Sequence, residues 1–161
     1  MKFKQMKYRQ LTKEQFSELH KEFADFLATQ QIDTKEWNII KEEKPSMAEE
    51  ELNIFSDVVW EDVLGKTEYL EHISPNDINL FKCNSGKIIR IYIKLKDKNK
   101  SFLSTDDFQW FLKNPLDDKF EYFKAEKEYA KERNFELFEL IEMGSQISKG
   151  ELFIAINQLI G

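Results

Sequence analysis

The stretch INLFKC-NSG-KIIRIYIKLK, residues 78–96, switches the chain from a helical period to a period of two. Ile89, Ile91, Ile93 and Leu95 alternate with Arg90, Tyr92, Lys94 and Lys96. That spacing sends successive side chains to opposite faces of a strand. Asn84-Ser85-Gly86 supplies turn residues between Ile78–Cys83 and Lys87–Lys96, so the stretch predicts an antiparallel hairpin. One face is apolar. The other carries three bases and a tyrosine.

Upstream of the hairpin the pattern is helical. Thr12 and Gln15 form a T-x-x-Q capping box, and Phe16, Leu19, Phe23, Phe26 and Leu27 follow as one stripe. Asp33, with Glu36 three residues on, opens a short second helix carrying Trp37, Ile39 and Ile40. Pro45-Ser46 with Glu49 predicts a third helix, running to Leu64 and ending at Gly65. Its main stripe is Leu52, Phe55, Val59 and Val63, flanked by Ile54, Val58, Trp60 and Leu64. Such a wide apolar arc implies contacts on more than one side.

Downstream, a helix is expected after Ser104 or Thr105, stopping before Pro115. Lys119–Ala125 alternates as a third strand. Lys127–Met143 predicts a helix ended by Gly144, and Ser148 with Glu151 a capping box for a last helix to about Ile160. Helices, then a hairpin, then helices predict an α+β chain. The expected form is one mostly helical domain over residues 1–161 with a small antiparallel sheet, residues 1–6 being a disordered extension.

The composition excludes several chemistries. The five Gly lie in no nucleotide-binding or hydrolase motif, and two His with one Cys are too few for a Cys/His zinc site. Neither a cofactor nor a metal is expected. A single cysteine in a chain rich in Lys and Glu fits the reducing cytoplasm. No apolar run approaches the roughly 18 residues of a membrane span. The 14 Phe, 5 Tyr and 3 Trp supply a core without disulfides.

A net charge of −6 opposes bulk electrostatic binding of nucleic acid, but the charge is lopsided. Residues 35–71 hold eleven acids against four lysines, and residues 82–100 hold seven bases against Asp97. Two surfaces follow. Arg90, Tyr92, Lys94 and Lys96 on one strand face form a candidate site for RNA or another anion, the tyrosine stacking on a base. Ile54, Asp57, Trp60 and Glu61 on the acidic helix form a candidate protein interface, an aromatic anchor ringed by charge. The leading expectation is a non-enzymatic interaction domain with a protein partner or a second copy of itself. The alternative is an RNA- or ribosome-associated factor.

Weaker candidates are read as structural. Glu68 and His72 would share a helix face as a carboxylate–imidazole pair, but no nucleophile accompanies them. His20 sits at a stripe edge, Cys83 in a strand, and Asp106-Asp107 and Asp117-Asp118 at a cap and a loop. Gly144–Ser148 joins two helices as a helix-turn-helix would. The last helix has Lys149 as its single base, so no DNA reading is expected.

The chain resembles a small family of uncharacterised proteins of Bacteroidota. The likeness rests on Lys7–Thr12, Phe26–Gln30, Ile54–Asp57, Trp60-Glu61, Tyr69–His72, Leu116–Lys119 and Lys149–Leu152, and extends from about Met6 to the end. The resemblance implies no activity and no functional residues.

Overall fold

A computed structural model describes residues 5–161. The chain forms two compact units, one ending at Gly65 and one spanning Lys66–Gly161. The fold class is α+β: a helical unit, then an antiparallel sheet dressed with helices.

The first unit holds α1 (Lys13–Glu18), α2 (His20–Ala28), α3 (Thr34–Glu43) and α4 (Pro45–Lys66), the last residue of α4 belonging to the second unit. The Thr12 capping box forms in both directions, and Asp33 caps α3 through the Glu36 amide. The expected first helix is broken at Leu19 (φ −104°, ψ 21°). The Ser46 box does not form, because the helix already starts at Pro45 and places Ser46 inside its first turn. Leu27, Ile32, Ile40 and Ala48 make the core, with Phe23, Phe26 and Trp37 against it. Phe55 of α4 joins this cluster, its ring centroid 5.0 Å from Phe23 and 5.4 Å from Phe26.

The second unit is built on five strands among the described residues: β1 (Tyr69–Ile73), β2 (Asp77–Cys83), β3 (Lys87–Leu95), β4 (Phe120–Glu128) and β5 (Gln146–Ser148). Their order is β4-β3-β2-β1-β5, antiparallel throughout. The hairpin is present as expected. Its alternation is real: Ile91, Ile93 and Leu95 are buried while Arg90, Lys94 and Lys96 are exposed.

The inner face carries Ile78, Leu80, Ile91 and Ile93 beneath Phe102, α5 (Thr105–Lys113) and α7 (Glu151–Ile160). Phe111 of α5 and Phe153 and Ile156 of α7 complete that core. The opposite, outer face is not uniformly polar. Phe81, Cys83 and Ile88 on it are buried. Beside them runs α6 (Arg133–Glu142), with Leu137 and Phe138 buried.

Three expectations are corrected here. Residues 127–132 extend β4 and its turn instead of starting a helix. Gly144–Ser148 is no helix-turn-helix linker, since Gln146–Ser148 pairs with β1. The Ser148–Glu151 box does not form either. The N-cap of α7 is Gly150 at φ 83°, and Ser148 Oγ accepts the Gly150 amide instead. Residues 1–4 of the expected extension lie outside the described residues.

Candidate functional site

The acidic helix α4 is occupied by the chain's own N-terminal segment. Asp57 accepts the backbone amides of Lys7 (2.7 Å) and Tyr8 (3.0 Å). Glu61 accepts the Tyr8 hydroxyl at 2.6 Å and pairs with Lys7 Nζ at 3.2 Å. Trp60 is buried; its Nε1 donates to the Arg9 carbonyl at 3.1 Å, and the Arg9 guanidinium lies 4.8 Å over its ring. Further along, Ser56 Oγ accepts the Leu11 amide, and Gln10 Nε2 donates to Glu49 and Asn53. Three of the four expected interface residues, Asp57, Trp60 and Glu61, therefore hold residues 7–9 of this chain. Burial, then the bond to Glu61, pushes the Tyr8 phenol up to about 12. Ile54, the fourth, stays exposed, on the α4 face that also shows Met47 and Val58.

The basic strand lies where the alternation places it, on the outer face of β3. Its neighbours change its character. Arg90 Nε and Nη2 donate to Asn79 Oδ1 at 2.8 and 2.6 Å, and its guanidinium stands 5.2 Å over the Tyr92 ring. The Tyr92 hydroxyl donates to Asp77 at 3.1 Å, and desolvation followed by that bond raises its pKa. Lys94 faces Asp77 on β2 and Glu121 on β4 in register, though no acceptor lies within ion-pair distance of it among the described residues. Beside Tyr92 sits Phe123 of β4, half exposed, with the ring centroids 6.0 Å apart. The face thus offers two adjacent aromatics where the sequence shows one. Phe123 was legible only as part of an alternating strand; nothing local says which neighbour it meets.

Between this face and α6 lies a cleft of about 950 Å³. Phe81 and Ile88 of the sheet and Leu140 and Met143 of the α6 end give it apolar walls. His72, Asn79 and Arg90, on three neighbouring strands, give it a polar end. Sequence reading pairs His72 with Glu68 on a helix, and this is corrected. His72 lies in β1, where residues four apart are separated by roughly 13 Å along the strand, so no such pair forms. His72 is half-buried and instead packs beside Gly144, where a Cβ would stand 2.9 Å from its Nε2.

The remaining candidates have structural partners. His20 Nδ1 is 3.0 Å from the Ser17 carbonyl. Asp107 sits in the first turn of α5, accepts the Ser101 amide and pairs with Lys100 at 3.6 Å. Asp117 accepts the Lys119 amide in its loop. Cys83 is buried, and burial pushes its thiol up to about 12 against the opposing pull of Arg133. Among the described residues no cluster of three or more His, Cys, Asp or Glu is placed to hold a metal, and no helix is long and apolar enough to cross a membrane.

Over residues 6–161 the chain matches the family of unknown function DUF6495, and it belongs to that family. No curated protein and no solved structure matches it.

Proposed function

We propose that this member of the family is a non-enzymatic, cytoplasmic accessory domain that binds single-stranded RNA across the outer face of β3 and β4. The observation that carries the reading is the pairing of Tyr92 with Phe123, with the Arg90 guanidinium over the Tyr92 ring. A half-exposed Phe123 beside a partly buried Tyr92 offers a platform for stacked bases, and stacking is tolerant of sequence. Arg90, Lys94 and Lys96 reach phosphates. Asp77 and Glu121 lie in the same face and keep the electrostatic share small. A labelled oligouridylate read by fluorescence anisotropy tests this. Contact with about three phosphates gives a log–log salt slope of about −2. Replacing both Tyr92 and Phe123 by Ala weakens binding by about tenfold or more. An unchanged affinity in that variant, or no salt dependence, sinks the reading.

A second reading keeps a protein partner on α4. It rests on Met47, Ile54 and Val58, which are 38%, 38% and 54% exposed on one helix face bordered by Glu50 and Asp62. A partner with an apolar patch and a basic rim fits that face. Val58→Arg should abolish capture of such a partner at moderate salt; capture that survives the change argues against this face.

A further inference from the structure

We propose that the cleft between the outer sheet face and α6 is a binding site for a small amphipathic carboxylate, its acid group at Arg90, Asn79 and His72 and its apolar body along Phe81, Ile88, Leu140 and Met143.

The polar end keeps donors beyond the one acceptor it holds. A guanidinium only donates, so the atom Arg90 grips on Asn79 must be the carbonyl Oδ1. That fixes the amide orientation and leaves Asn79 Nδ2 as a donor with no acceptor among the described residues. Arg90 spends Nε and Nη2 on this contact and keeps Nη1. The His72 ring makes no hydrogen bond to the described residues, and His72 stands directly across from Asn79 in the β1–β2 register. Three strands therefore present an arginine, an amide and an imidazole side by side.

The charge around the cleft selects the sign of the ligand. Lys127 and Glu136 pair at 3.6 Å, and Glu139 pairs with Lys131 at 3.2 Å. Arg90 is the charged lining group whose partner is neutral. An anion is what that end lacks, and a guanidinium with a free edge matches a carboxylate. The apolar walls exclude a purely hydrophilic anion such as free phosphate. The volume, about 950 Å³, lies within the range of small-molecule pockets.

Decanoate and decanol, titrated calorimetrically into the full chain, are the probes. The expected result is saturable one-to-one binding of decanoate, with decanol at least about tenfold weaker. Arg90→Gln should remove most of that difference by weakening decanoate and sparing decanol. Leu140→Gln should weaken both ligands, with a melting curve to confirm that the variant is folded. Phe123→Ala should leave decanoate binding unchanged, which separates this site from the proposed RNA face. Equal affinity of acid and alcohol for the wild-type chain overturns the proposal, whatever the variants do. So does an absence of saturable decanoate binding up to about 1 mM.

Discussion

Glycine 150 shows how much one side chain's absence can decide. At φ 83° it lies in the left-handed region, and a Cβ there would stand 2.4–2.6 Å from ring atoms of Tyr69. Gly150→Ala therefore combines about 1–2 kcal/mol of backbone strain with displacement of a ring that packs at a tilt against Phe153, centroids 5.6 Å apart. A loss of about 2–4 kcal/mol in urea unfolding is expected. Adding Tyr69→Leu should recover the steric part but not the strain; full recovery or none would contradict this division. Asp57 is the corresponding residue of the first unit. Its two oxygens hold successive amides, so Asp57→Ala leaves two donors without their anion and should cost about 1–3 kcal/mol. Hydrogen exchange at the Lys7 and Tyr8 amides should quicken far more than exchange in α2. Equal protection in the variant would show that the segment is held by other contacts. Both residues lie in stretches on which the family resemblance rests. Lys7 and Tyr8 bind Asp57 and Glu61, and Gly150 meets Tyr69, so several of those stretches meet one another in the fold.

At the scale of elements, the sequence announced what local chemistry controls. The hairpin, the Thr12 box, the Asp33 and Ser104 caps and the stop before Pro115 each depend on residues a few positions apart. What it hid depends on distant pairing. The strand β1 was invisible because Tyr69-Leu70-Glu71-His72 has little alternation of its own. Its identity comes from β2 on one side and β5 on the other. The short β5 is three residues long and exists only as their partner. Helix α6 begins later than its periodicity implies because β3 claims residues 120–128 as a ladder, Lys87 facing Glu128 at its far end. The candidate sites divide the same way. The basic face was readable from alternation, whereas its Phe123 neighbour and the cleft needed the sheet order. Trp60 was misplaced because a helix face gives no sign that the chain's own first residues will cover it. Arg133 is the least foreseeable group: from the start of α6 its guanidinium donates to the carbonyls of Thr67, Cys83 and Asn84, clasping the hairpin turn to the approach to β1. Methionine keeps the length and apolar stem but no donor. Arg133→Met should then cost about 2–4 kcal/mol, with faster exchange at the Cys83–Lys87 end of the hairpin. Unaltered stability would mean that water replaces the guanidinium there.

Across the whole molecule, charge and proton affinity divide unevenly between the units. Residues 1–65 carry nine bases against fourteen acids, and residues 66–161 fifteen against sixteen, so the sheet-bearing unit is nearly neutral and the helical one carries the acidity. That placement lets a chain of net charge −6 present an arginine and two lysines without strong repulsion of an anion. The strongest titration signature lies at the alkaline end. Four groups have their pKa pushed up to about 12, chiefly by burial: Tyr8 in the first unit, Cys83, Tyr122 and Tyr129 in the second. Their ordinary values are 9.0 for the thiol and 10.0 for the phenols. Below about pH 8 all four are protonated whether the chain is folded or not, and they contribute no pH dependence. Above it the unfolded chain releases these protons first. The folded state then holds more protons than the unfolded one, and stability falls as pH rises, through to about 12. Melting temperature should accordingly decline from about pH 8 upward, and more steeply above about 9 as the phenols join the thiol. Absorbance near 295 nm should show part of the tyrosines ionising only as structure is lost. Because Tyr8 is anchored on Glu61, Asp57→Ala should bring one phenol back toward 10 while leaving the three groups of the second unit unmoved. If every tyrosine instead titrates near 10 in a folded protein, the burial of these hydroxyls is weaker than their environments imply, and the docking of residues 7–11 on α4 loses its spectroscopic support.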